Sequence, residues 1–127
     1  MARPRDADAL RNRSGLRGHR LGRAAEERAA AHLTALGFRI LKRNLRGPGG
    51  EIDIVARDRD TIVFVEVKAR ASHAYGSALG AVDARKRGRI RAVADDYLQF
   101  FAPTARARFD VVTVEGDHIV LHRGAFA

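Results

Sequence analysis

Two spacings of apolar residues divide the chain once its first twenty positions are passed. Ala25, Ala29, Leu33 and Leu36 recur at three or four residues, which predicts an amphipathic helix over residues 21–36, ended by Gly37. Residues 38–44 read as a strand whose charges suit a sheet edge, and Gly47-Pro48-Gly49-Gly50 is a turn signal. Two short apolar runs follow, 51–56 and 61–68, with Asp58-Arg59-Asp60 between them as the reversal of a hairpin. The helical period returns over residues 81–101 in Val82, Ile90, Val93, Ala94, Tyr97 and Leu98, and Pro103 stops it. Residues 109–114 and 118–121 are two last strands around Glu115-Gly116-Asp117. The order αβββαββ predicts an α/β domain with a mixed central sheet and helices on both faces. Residues 1–18 have no period and few large apolar side chains, and are interrupted by Pro4, Gly15 and Gly18. They are expected to form a disordered basic tail, leaving residues 19–127 as one domain.

Three positions break the pattern. Asp53, Glu66 and Lys68 stand in the central hairpin where a buried strand would carry Val or Ile. An ionised side chain there is costly unless a metal, an ion partner or a ligand pairs with it. If Arg59 and Asp60 are the two loop residues, 58 faces 61 and Asp53 comes opposite Glu66. Period-two alternation then puts Lys68 on the same sheet face, with Glu51 opposite it, and turns Val63, Val65 and Val67 to the other face against a helix.

Composition narrows the chemistry. The 127 residues include no cysteine, which excludes disulfides, thiolate zinc sites and cysteine nucleophiles. The longest apolar runs are strand-sized, and the arginine-studded start lacks the apolar core of a signal peptide, so a soluble, cytoplasmic protein is expected. The net charge of +9 favours polyanions as partners. Seven arginines against Asp6 and Asp8 crowd into residues 1–23, either as a solvated extension or as a non-specific nucleic-acid-binding arm.

Two carboxylates from neighbouring strands can bind a hard cation such as Mg2+ and leave most of its positions to water and phosphate oxygens. A lysine two residues from one of them can orient or deprotonate an attacking water, or offset charge on a phosphorane-like transition state. Glu26 or Glu27 of the first helix could add a ligand or a base, Glu26 lying nearer the packed stripe. The competing reading of Asp53, Glu66 and Lys68 is a structural ion-pair ladder, and that of Glu26 is a solvated residue paired with an arginine. Arg70, Lys86, Arg87 and Arg91 are candidate phosphate contacts, and Tyr75 a candidate stacking residue beside His73 in the loop over 69–78. His118 and His122, about 13 Å apart along a strand, are too distant to share a metal and read as surface residues.

Asp53 followed by Glu66-Val67-Lys68 resembles the signature of the PD-(D/E)XK nuclease superfamily, with Ile52 where the superfamily name has proline. More closely, the chain resembles the YraN family of small bacterial endonuclease-like proteins related to archaeal Holliday-junction resolvases. The matching pieces are Gly22-x3-Glu26-x2-Ala29-x3-Leu33, Arg43-Asn44, Gly50-Glu51-Ile52-Asp53, Val63 to Lys68 with Arg70, Tyr75-Gly76, Lys86, Arg108-Phe109-Asp110-Val111-Val112 and Ala125-Phe126. The resemblance implies a restriction-endonuclease-like αβββαβ core with one extra C-terminal strand. It implies Asp53, Glu66 and Glu26 as acidic metal-site residues, Lys68 as catalytic lysine and Mg2+ or Mn2+ as cofactor. The function so implied is metal-dependent hydrolysis of DNA phosphodiesters, in branched or non-duplex DNA, for which a two-fold homodimer would suit paired cuts. Two alternatives stand beside it: a catalytically silent nucleic-acid-binding module with a nuclease fold, and a small basic RNA-associated protein.

Overall fold

The computed structural model describes residues 22–70 and 84–126. The expected tail over residues 1–18 lies outside them. Helix α1 covers residues 22–35 and ends in a Schellman turn. Gly37, at φ 97°, donates its N–H to the Thr34 carbonyl (3.0 Å), and Phe38 donates to Leu33 (2.9 Å). Strands β1 (Arg39–Gly47), β2 (Gly50–Asp58) and β3 (Thr61–Arg70) follow, then α2 (Ala84–Phe101), β4 (Arg106–Glu115) and β5 (His118–Phe126).

The strands form one sheet in the order β1-β2-β3-β4-β5, with β3 and β4 parallel and every other pair antiparallel. This is the mixed αβββαβ arrangement plus one C-terminal strand. The parallel pair is joined through the segment that contains α2, as a crossover connection requires. Alternation along β3 divides the core: Val63 and Val65 pack with Ala25, Ala29 and Leu33 of α1, and Ile62 and Phe64 with Ile90, Val93 and Ala94 of α2. The sheet is thus covered on both faces. Among the described residues, no helix is long and apolar enough to cross a membrane.

Two local features shape the β1–β2 turn beneath α2. Gly49 takes φ 83°, a conformation that glycine enters without strain. Gly47 leaves room for Val93, because a Cβ there would stand 3.1 Å from Val93 Cγ2.

At the far end of the sheet, a buried ion network closes the hairpin onto the C-terminal strands. Asp110, 0% exposed, accepts from Arg108 Nε at 3.1 and 3.2 Å and from the Gly124 N–H at 2.9 Å. Arg108 and Arg123 both donate to Asp58 beside the hairpin loop (2.8 and 3.1 Å). Their guanidinium groups also lie over the Phe38 ring, at 5.6 and 5.3 Å from its centroid. The Arg108-Phe109-Asp110 piece is therefore structural. His118 is exposed, but His122 is half-buried and bonded through Nε2 to Thr113 Oγ1 at 3.1 Å, so it is not a plain surface residue.

Removing one partner of a buried, hydrogen-bonded charge strands the other. Arg108→Ala is therefore expected to destabilise the fold by about 3 kcal/mol, read as a lower urea midpoint, whether or not divalent cations are present.

Candidate active site

The central hairpin has the register that the two-residue loop predicts, with Asp58 paired to Thr61, Ala56 to Val63 and Ile54 to Val65. The ladder stops there, one step short of Asp53 and Glu66. Beyond that point β2 stays paired with β1, through Leu45–Ile52, Arg46–Glu51 and Gly47–Gly50. Meanwhile β3 stays paired with β4 as far as Arg70–Glu115. The two central strands fork. The fork frees a backbone donor on β3, and the Asp53 side chain takes it, Oδ2 accepting the Val67 N–H at 2.8 Å.

A cleft of about 440 Å³ opens in the fork, and Glu26, Glu51, Asp53, Glu66, Lys68 and Lys86 all line it. Two strands and both helices thus contribute. Glu66 is 4% exposed, yet its Oε1 has no hydrogen-bond partner and its Oε2 meets Lys86 Nζ at 3.1 Å. Burial, and then repulsion from Asp53, push the Glu66 carboxyl up to about 7 despite that ion pair. Asp53 is also raised, by burial, against the lowering effect of the Val67 N–H and Lys86.

Glu26 reaches the site from α1. Its carboxyl is raised by burial and by the charge of Asp53, with which it shares a hydrogen bond, while Arg43 pulls it back. Arg43 binds Glu27 at 2.6 Å and lies 3.7 Å from Glu26. Asn44, at φ 54°, sets its side-chain amide against the carboxylates of Glu51 (3.0 Å) and Glu26 (3.3 Å), which call for the donating nitrogen on that side.

The two lysines behave as a pair. Lys68 falls below its ordinary value, first through burial and then through its hydrogen bond to Lys86 and the charge there. Burial works against Lys86 too, but its bond to Lys68 and the pull of Glu66 and Asp53 hold it above its ordinary value. The opposite directions of the two shifts make Lys68 the more easily deprotonated of the pair.

The donors fit a hard divalent cation. Asp53 and Glu66 offer only oxygen, one buried oxygen is unsatisfied, and the two charges repel unless a cation joins them. Among the described residues, no three His, Cys, Asp or Glu side chains form a metal-holding cluster, so water and phosphate would fill the remaining positions.

Of the expected phosphate contacts, Lys86 lies inside the cleft on Glu66, a role that its place in a basic helical run did not reveal. Arg87 and Arg91 sit one turn apart, exposed on α2 and outside the cleft lining. Arg70 ends β3 with its side chain outside the described residues, as are Tyr75 and His73. Arg43 and Asn44 were visible only as a pair of residues without a role.

Residues 25–114, which include Glu26, Asp53, Glu66, Lys68 and Lys86, match the profile described as uncharacterised protein family UPF0102. The chain is 48% identical over 109 residues to a UPF0102 protein of Acidovorax sp. (strain JS42), covering 83% of each chain. It is 51% identical over 109 residues to one of Paracidovorax citrulli (83% of this chain, 81% of that one). A third, from Parafrankia sp. (strain EAN1pec), is 51% identical over 113 residues, covering 84% of this chain and 96% of its own.

The raised Glu66 carboxyl makes stability depend on pH in divalent-free solution. The folded chain keeps a proton up to about 7 that the unfolded chain releases near 4.5. This contribution is complete below pH 4.5 and is lost as pH rises through 7. Thermal unfolding in a chelator should show a fall across that window on the order of 3 kcal/mol. Glu66→Gln should remove most of the slope, leaving the same-signed remainder from Asp53 and Glu26.

Proposed function

Because the chain belongs to uncharacterised protein family UPF0102, the YraN family of the PD-(D/E)XK nuclease superfamily, we propose that it hydrolyses phosphodiesters of DNA with Mg2+ or Mn2+. The observation that carries this reading is the fork, which brings two strained carboxylates and a lysine of lowered basicity into one open cleft.

Asp53 and Glu66 would hold the cation, which supplies Lewis acidity and a more acidic bound water. The other roles belong to the chain. Lys68, half-buried and kept from its full basicity, takes the proton of the attacking water. One P–O bond forms to that water and one breaks to the leaving oxygen, which takes a proton from solvent while Lys68 gives its own up to solvent. As an ammonium, Lys68 offsets charge on the phosphoryl oxygens. Lys86 holds Glu66 and, through its hydrogen bond, the orientation of Lys68. The Val67 N–H fixes the carboxyl plane of Asp53, and Glu26, Arg43 and Asn44 brace the fork from the α1 side. With no helix-turn-helix among the described residues, recognition would rest on phosphate contacts and the shape of the substrate.

The test is cleavage of labelled duplex, single-stranded, flap and four-way-junction DNA under Mg2+ or Mn2+. Asp53→Asn and Lys68→Met should each lower the cleavage rate by about 100-fold or more while thermal stability and DNA binding persist. Binding without cleavage on every substrate, unchanged by Asp53→Asn, would instead favour a binding module.

A further inference from the structure

Outside the cleft, exposed aromatic side chains gather at the C-terminal end of α2. Phe100 is 86% and Phe101 71% exposed. The rings of Tyr97, Phe101 and Phe100 form a chain, with centroids 4.9 and 5.8 Å apart, whose inner end meets Phe64 edge-on at 5.9 Å. The platform is therefore anchored in the core at one end and open to solvent at the other.

Beside it runs a groove of about 530 Å³, lined by Leu41, Lys42, Leu45 and Arg46 of β1 with Tyr97 and Phe101. Lys42 and Arg46 are exposed, Arg46 in a loose ion pair with Glu51 of the neighbouring strand (3.8 Å), and no carboxylate is among the lining residues. This groove meets the catalytic cleft at one corner. Asn44, which also lines it, bonds to Glu51 of the cleft, and Arg46 faces Glu51 across the β1–β2 ladder. On α2, Arg89 lines the cleft and Phe101 the groove, about 18 Å apart along the helix axis.

We propose that the groove binds a single-stranded nucleic-acid arm that leaves the cleft, its bases stacking on Phe101 and its phosphates meeting Lys42 and Arg46. The path from the cleft rests on the nuclease reading, whereas the stacking and the phosphate contacts do not. Aromatic faces accept any base, and cations along a groove track the backbone, which is how single strands are held without sequence preference. Charge argues against a second copy of the chain as occupant. Strand β1 is a sheet edge, and pairing it with its own copy would lay two strands side by side that each carry Arg39, Lys42, Arg43 and Arg46. The substrate class that follows is branched DNA with a single-stranded arm, such as a flap, over uninterrupted duplex.

The experiment is fluorescence anisotropy in a chelator, where no cleavage occurs and a failure of catalysis cannot affect the result. A short oligothymidylate is compared with an abasic oligomer of equal length. Wild type should bind the first about tenfold more tightly, and Phe101→Ala should erase that difference, with thermal unfolding confirming that the exposed substitution leaves the fold intact. Arg46→Ala should weaken both ligands alike and reduce the salt slope by about one. Equal affinity of wild type for the two oligomers, or no effect of Phe101→Ala, would overturn the proposal. So would a concentration-dependent dimer in sedimentation that Phe101→Ala makes monomeric, since a second copy would then cover this face.

Discussion

The hydrogen bond from the Val67 N–H to the Asp53 carboxylate is the contact on which the site depends. Sheet backbones keep their donors paired, so two central strands can part only if something else takes the groups that parting exposes. Asp53 does this with a side chain, at 2.8 Å, at the point where the β2–β3 ladder ends. One residue therefore opens the fork, satisfies the donor the opening frees, and keeps its second oxygen for the cleft. The covered sheet on either side holds the fork's width. The network of Asp58, Arg108, Asp110 and Arg123 clamps the closed end of the hairpin, so the strands diverge at one end only.

Electrostatics inside the fork are unresolved by the protein alone. Glu66 is buried beside Asp53 with one oxygen unmatched, and Lys86 answers only the other oxygen. The cost appears as carboxyls held above their ordinary values and as a lysine held below its own. Several groups shifted by burial and by one another in a single cleft are what a functional site shows.

Much of this was legible in the sequence, for identifiable reasons. Helix periods, the Gly37 stop and the two-residue reversal at Arg59-Asp60 are local signals, and they gave the element order and the hairpin register. That register put Asp53, Glu66 and Lys68 in one neighbourhood, since alternation leaves little freedom. The fork itself was not legible, because strand separation depends on a long-range bond between Asp53 and Val67 that no periodicity encodes. Lys86 was legible as a candidate phosphate contact, but its ion pair with Glu66 was not, for a related reason. In a run of five basic residues, only the packing of α2 over Gly47 and Gly50 decides which one turns inward. Strand lengths were underestimated where charges occupy the outer rows: β1 runs on to Gly47 and β5 to Phe126.

The most direct measurement is calorimetric titration of Mn2+ into the protein just below pH 7, repeated in buffers of different ionisation enthalpy. The account predicts one saturable site per chain, release of protons as Glu66 gives up its own, and loss of the site in Asp53→Asn. Absence of saturable binding, or equal binding without proton release in Asp53→Asn, would contradict the claim that the fork is built around a divalent cation.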